Sequence, residues 1–250
     1  MIDIHTHLLP AVDDGSRSIE ASVAVLARFA RDGVERVVCT PHLRASEAAA
    51  APYARHQALL AELAAAAPAV PALALGWEIM LDTPGADLTA PELALDGAAA
   101  VLVEFGRAAV PTAADGELRR IRDAGRIPVV AHPDRYFGCT ADQVRRWRDG
   151  GAAIQMDANM LLADVPQSRL ARELLESGLA DCMASDNHGD DRSLGAVRRW
   201  LEEADAPEQA RLLTHVNPGR LLRGEPPLPV APVPRAGAFE RLRRLVFGRA

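Results

Sequence analysis

The sequence predicts one α/β domain folded as a (β/α) barrel of seven strands, and three observations lead there. Seven short runs rich in Val, Ile, Leu and Ala punctuate the chain, helical patterns separate most of them, and residues able to bind metal stand at the ends of almost all of them. Alternating strand and helix implies parallel strands joined by right-handed crossovers. An open doubly wound sheet is the alternative, although no GxGxxG or Walker phosphate loop is present.

The strands are expected at residues 1–5, 34–40, 72–79, 99–105, 127–132, 153–157 and 180–185, each apolar and most ending in polar residues and a turn signal. Between them, residues 19–31 carry apolar side chains at helical spacing and stop at Gly33, a C-terminal cap. Residues 53–67 favour helix and end before Pro68. Residues 118–124 stop at Gly125, and 140–148 open on the capping pair Thr140 and Gln143 and stop at Gly150. A helix over 166–176 starts on Pro166, and one over 194–203 follows the last strand.

Composition narrows the function. The 250 residues, 49% hydrophobic, suffice for one large domain. A net charge of -6 argues against nucleic acid as the main partner. Every basic residue is Arg, which reads as codon bias rather than chemistry. Three scattered cysteines form no disulfide framework, so a reducing compartment is expected. No apolar run approaches the roughly 20 residues a membrane span needs, and the first candidate ligand at residue 5 leaves no room for a leader. A cytoplasmic location follows as the expectation.

The chemistry lies at the strand ends. His5 and His7 end strand one, His42 follows strand two, Glu78 ends strand three, Glu104 strand four, His132 strand five, and Asp186 and His188 strand seven. From His7 to Asp186 the gaps are 35, 36, 26, 28 and 54 residues, the spacing of successive βα units with the last spanning two. In a parallel barrel these positions converge on the C-terminal rim, where active sites of this architecture lie. Five imidazoles and three carboxylates exceed the four or so ligands of a single zinc. A cluster of two or three divalent ions would use them, and the donor mix suits Mn, Fe or Zn. Such clusters activate water and clamp phosphoryl oxygens, which points to phosphoester hydrolysis. One of Asp13 and Asp14 should reach the cluster while the other caps a helix or shapes the turn at Gly15; Asp14 is favoured for the cluster. His56 and His215 fall outside the pattern and read as structural. Cys139 and Arg145 have the C-x5-R spacing of thiol phosphatases, but no glycine lies between them and Asp142 would repel a phosphate.

Taken in order, the segments Met-Ile-Asp-Ile-His-Thr-His, Val-Asp-Asp-Gly-Ser, Thr-Pro-His, Gly-Trp-Glu-Ile, Val-Glu-Phe, Ala-His-Pro-Asp-Arg and Ser-Asp-Asn-His resemble the PHP superfamily. More narrowly, they resemble its bacterial protein-tyrosine phosphatases linked to capsular and exopolysaccharide synthesis, over roughly residues 1–223. The resemblance implies a distorted (β/α)7 barrel with a trinuclear, usually manganese-dependent centre held by His5, His7, His42, Glu78, Glu104, His132, Asp186 and His188. It implies Arg135 as a grip on phosphate, Arg192 as a second phosphate contact, and a phosphorylated bacterial tyrosine kinase, or another phosphotyrosyl protein, as partner. A small-molecule phosphoesterase of the histidinol-phosphatase type and a non-catalytic kinase-binding module are the alternatives. The chain departs from the family's more frequent His-x-Glu-Arg at Asp134, in a short Ala-rich segment after His42, and in a short spacing from Asp186 to Arg192.

Residues 224–250 lie outside the resemblance. They read as a proline-rich spacer followed by a basic segment with Phe239, Leu242, Leu245 and Val246 on one helical face. That segment is expected to dock on the barrel or to contact a membrane surface or partner.

Overall fold

Strand pairing is parallel throughout the computed structural model, which describes residues 1–106, 110–163, 165 and 168–234. The strands are β1 (Ile2–Thr6), β2 (Arg36–Cys39), β3 (His42–Arg44), β4 (Ala72–Leu75), β5 (Glu78–Met80), β6 (Ala100–Glu104), β7 (Ile127–Ala131), β8 (Ala153–Asp157) and β9 (Cys182–Ala184). They occupy seven positions: β4 and β5 are halves of the strand expected at 72–79, and β3 takes up the position of β2 beyond the end of the strand expected at 34–40. Pro41 has no N–H to donate and ends the first half-strand. Gly76 marks the second break, where an added Cβ would meet Leu95 Cδ2 at 2.7 Å and Leu95 Cα at 3.3 Å.

The two breaks fall side by side, and this distorts the barrel. Below them β1, β2 and β4 form one sheet; above them β3 and β5 join β6, β7, β8 and β9 in a second. His42 pairs with Glu78 in register at the start of the upper halves, so both side chains enter the rim from freshly aimed strands. The ring closes between β9 and β1: Asp186 N donates to His5 O at 3.0 Å and His7 N to Asn187 O at 2.8 Å. Buried Asp3 reinforces the seam by accepting from Ser185 N at 3.2 Å.

Alternate residues fill the barrel. Ala100 and Leu102 of β6, Ala153 of β8, and Cys182 and Ala184 of β9 belong to the inner apolar cluster, and the same faces continue upward to Glu104, to Gln155 and Asp157, and to Asp186. In β1 the register advances three residues, from Asp3 to Thr6, against two in β2, a bulge that leaves Ile4 in the inner cluster while His5 reaches the rim.

Helices α1 (Ile19–Asp32), α2 (Tyr53–Ala66), α3 (Ala114–Asp123), α4 (Ala141–Asp149), α6 (Ser168–Glu176) and α7 (Leu194–Glu203) cover the outside, close to their expected spans. Gly33 caps α1 in the left-handed region and the Thr140 side chain caps α4. Short helices α5 (Ala158–Leu162), α8 (Pro207–Arg211) and α9 (Asn217–Leu221) were not expected, since one turn or so carries no periodic signal. Residues 224–234 run against the barrel without helix or strand, with Val230 and Val233 buried and Asn217 holding both backbone groups of Leu228. Pro166 and the basic tail segment lie outside the described residues.

Gly76→Ala is expected to destabilise the fold by about 1–3 kcal/mol through overpacking against Leu95. In urea unfolding the midpoint should fall with little change in slope.

Candidate metal centre

Glu78, the buried first residue of β5, stands at the middle of the rim. Its Oε1 lies 2.7 Å from His132 Nε2 and 3.4 Å from His5 Nε2, and its Oε2 lies 2.8 Å from His42 Nδ1 and 3.3 Å from His7 Nε2. Asp186 Oδ1 is 3.3 Å from both His5 Nε2 and His7 Nε2. Glu104 lies 3.9 Å from His42 and from His132. Asp14, on the exposed loop after β1, places Oδ1 3.2 Å from His42 Nε2 and 3.5 Å from His188 Nε2. The structure thus brings together all eight expected ligands and Asp14. They form four overlapping groups, His5/Glu78/His132, His5/His7/Asp186, His42/Glu78/Glu104 and His7/Asp14/His42/His188, each with its candidate ligand atoms within 4.8 Å of one another.

The hydrogen bonds behind the imidazoles decide which nitrogens face inward. Gln155 Nε2 donates to Met156 O, so its Oε1 accepts from His5 Nδ1 at 2.9 Å. Asp13 Oδ2 accepts from His7 Nδ1 at 2.7 Å, and the Asp186 carbonyl from His188 Nδ1 at 2.9 Å. The Nε2 atoms of His5 and His7 therefore carry lone pairs, yet they sit 3.2 Å apart and face carboxylate oxygens. Acceptors converging on acceptors in a buried space require a cation among them, either protons on the rings or metal ions. Without metal, the protons respond: burial works against a charged His5, but Glu78 and Asp186 raise its pKa to about 9. Burial likewise opposes ionised Glu78, but the neighbouring imidazoles of His5, His132 and His42 hold it well below the usual carboxylate range. For Glu104 burial dominates and, with the Glu78 charge, raises its pKa. Imidazole and carboxylate donors without a thiolate fit divalent Mn, Fe or Zn.

Local backbone serves this convergence. His132 and Asp186 adopt left-handed φ of 32° and 48°, which non-glycine residues hold only when their surroundings enforce it. Asp13, rather than contributing to the four groups, orients His7 from behind and accepts from Gly15 N at 3.0 Å. At Gly15 a Cβ would fall 2.2 Å from the His7 carbonyl oxygen, so only glycine lets the loop pass.

Both expected phosphate-binding arginines reach the edge of the cluster through Asp186. Arg135 NH2 lies 2.6 Å from Asp186 Oδ2 and its Nε donates to Asp157 Oδ2 at 2.9 Å; Arg192 NH1 is 3.4 Å from Asp186 Oδ2, and its Nε donates to Asp190 at 2.7 Å. Gln155 and Asp157 escaped the sequence reading. Two polar residues at i and i+2 in the apolar run Ala-Ile-Gln-Met-Asp were the available signal. His56 packs its ring 4.8 Å from Trp77, and His215 pairs with Glu35, both outside the cluster. Burial pushes the Cys139 thiol up to about 12, so it supplies no thiolate near neutral pH. A cleft of about 520 Å³ opens beside the cluster, lined by Asp14, His42, Arg44, Met80, Glu104 and Phe105 among others.

Barrel and donor set together place the chain among the PHP-type metal-dependent phosphatase folds. The chain belongs to the capsular polysaccharide synthesis family CpsB/CapC, which it matches over residues 1–223. Tyrosine-protein phosphatase YwqE of Bacillus subtilis (strain 168) is 30% identical over 202 residues, covering 75% of this chain and 77% of that one. Tyrosine-protein phosphatase CpsB of Streptococcus pneumoniae is 31% identical over 203 residues, covering 75% and 83%. A solved chain from the crystal structures of YwqE and CpsB, described as unique metal-dependent tyrosine phosphatases, matches with a TM-score of 0.77 and 26% identity over 94% of this chain and 100% of that one. A β-aspartyl dipeptidase from Fervidobacterium islandicum AW-1 shares the fold alone, with a TM-score of 0.56 and 16% identity over 93% of this chain and 75% of that one.

Gly15→Ala is expected to push the Asp13–Asp14 loop off His7 and weaken divalent-ion binding by about 10–100-fold, the usual effect of disturbing groups that orient ligands. Calorimetric titration with Mn²⁺ measures it, with circular dichroism confirming an intact fold.

Proposed function

We propose that this chain is a metal-dependent protein-tyrosine phosphatase whose cofactor is a cluster of two or three divalent ions, Mn²⁺ foremost and Fe or Zn as substitutes. The observation that supports it most is Glu78, whose two oxygens each face two imidazoles, the arrangement of a carboxylate shared between ions. His5, His7, His132 and Asp186 would hold the inner part of the cluster, and His42, Glu104, His188 and Asp14 the part nearer solvent, with Glu78 common to both. When bound, such ions activate water and stabilise the charge on a phosphoryl group in flight.

The chain's own groups do the rest. Asp157 and Asp186 fix the Arg135 guanidinium at the cluster edge, where its fork suits phosphate oxygens, and Arg192 supports the same side. The adjoining cleft has room for a phenyl ring, with Met80 and Phe105 in its lining. Tyrosine leaves as a phenolate with a pKa of about 10, so the leaving oxygen needs little protonation. No helix among the described residues is long and apolar enough to cross a membrane. We place the enzyme in the cytoplasm, acting on a phosphorylated tyrosine kinase of polysaccharide synthesis, in keeping with its family and its free cysteines.

Chelation should abolish hydrolysis of a phosphotyrosyl peptide and Mn²⁺ should restore it, while Cys139→Ser retains the parent rate. Arg135→Ala should lower kcat/KM by about 10²–10³-fold, as for loss of one preorganised charge stabiliser. A preference for histidinol phosphate over the peptide would shift the assignment to a small-molecule phosphoesterase. Kinase binding by metal-loaded protein without turnover would make it a regulatory module.

A further inference from the structure

The imidazoles of His5, His7 and His188 each have an acceptor on Nδ1, but His132 does not. Its Nδ1 is buried and has no hydrogen-bond partner among the described residues. Two residues on, Asp134 is 2% exposed, and neither of its carboxylate oxygens has a partner there either. One is a buried nitrogen whose ring already commits Nε2 to Glu78; the other is a buried pair of acceptors in the turn that His132 itself initiates. A lone buried carboxylate is among the costliest groups a fold can hold, and a neutral imidazole must carry its proton on one nitrogen.

We propose that Asp134 is the positioning residue for His132, accepting the hydrogen bond of its Nδ1–H through one bound water, so that the proton stays on Nδ1 and the Nε2 lone pair faces the metal cluster. This rests on the cluster holding metal, as the proposed function requires. Neighbouring side chains already wedge the ring: Tyr136 packs edge-on at 5.9 Å, its hydroxyl donates to Ala131 O at 2.7 Å, and His5 lies 5.5 Å away on another side. The link would give His132 what Asp13 gives His7 and Gln155 gives His5, a fixed tautomer and ring plane.

The test uses the full chain and two readouts that do not involve turnover. Nitrogen-15 NMR of the protein loaded with diamagnetic Zn²⁺ reports whether His132 Nδ1 carries the proton, and calorimetric titration with Mn²⁺ reports affinity. Asp134→Ala should shift His132 away from its Nδ1-protonated form and weaken Mn²⁺ binding by about 10–100-fold, the range for removing a ligand's orienting partner. Asp134→Glu, which keeps the carboxylate, should restore most of both, and serves alone should the alanine variant fail to fold: a Glu variant that lost both signals would count against the proposal. Unchanged tautomer and affinity in Asp134→Ala, with a rise in thermal stability from deleting an unpaired buried charge, would overturn it. Absence of divalent-ion binding by the parent protein, as distinct from its weakening in the Asp134 variants, would instead overturn the proposed function and with it the inference that rests on it.

Discussion

A carboxylate buried among imidazoles governs this molecule. Glu78 is removed from water, a placement that costs several kcal/mol for a charge without compensation, and four histidine nitrogens lie within hydrogen-bonding or ion-pairing reach of its two oxygens. Those histidines come from three strand positions besides its own, so the charge is stable only if the barrel closes in the right register. The breaks at Pro41 and Gly76 exist at the point where His42 and Glu78 must turn inward together. Fold and site are therefore one constraint: the cluster needs the kinked half-strands, and backbone bonds from Gly76 N to Cys39 O and from Glu78 N to Pro41 O hold the two breaks side by side.

Strand ends were legible because a parallel barrel converts sequence spacing into convergence. The residues at βα-unit intervals from His7 to Asp186 had to meet at one rim, and they do. The interior pattern was equally available: Ala100, Leu102 and Glu104 occupy every second position of one strand, apolar below and acidic above. Less legible were the groups acting at one remove. Gln155 and Asp157 lie on a strand that ends in no obvious ligand, and their value appears only when His5 and Arg135 are seen beside them in the folded chain. The splits were hidden because Ala72 to Ile79 carries only Gly76 as a mark of its break, and because β3 lies past Pro41, beyond the strand expected to end at Thr40. Asp13 and Asp14 were barely separable by sequence, which favoured Asp14 only slightly, since adjacent acids on a loop differ only in which way the turn at Gly15 sends them.

Charge at the rim is arranged in layers. The innermost carboxylates face imidazoles; Asp186 divides its oxygens between imidazoles on one side and the arginines on the other. Arg135 is thereby held by Asp157 and Asp186 before any substrate arrives, which limits the reorganisation needed when an anion binds. Nearer solvent, Asp14 and His42 form the boundary between the buried cluster and the open cleft.

The central claim is that Glu78 is shared between bound ions, and anomalous X-ray diffraction from crystals of the Mn²⁺-loaded protein tests it most directly. The account predicts at least two anomalous peaks at the rim, one beside each oxygen of Glu78. A single peak, or peaks lying away from Glu78, would contradict it.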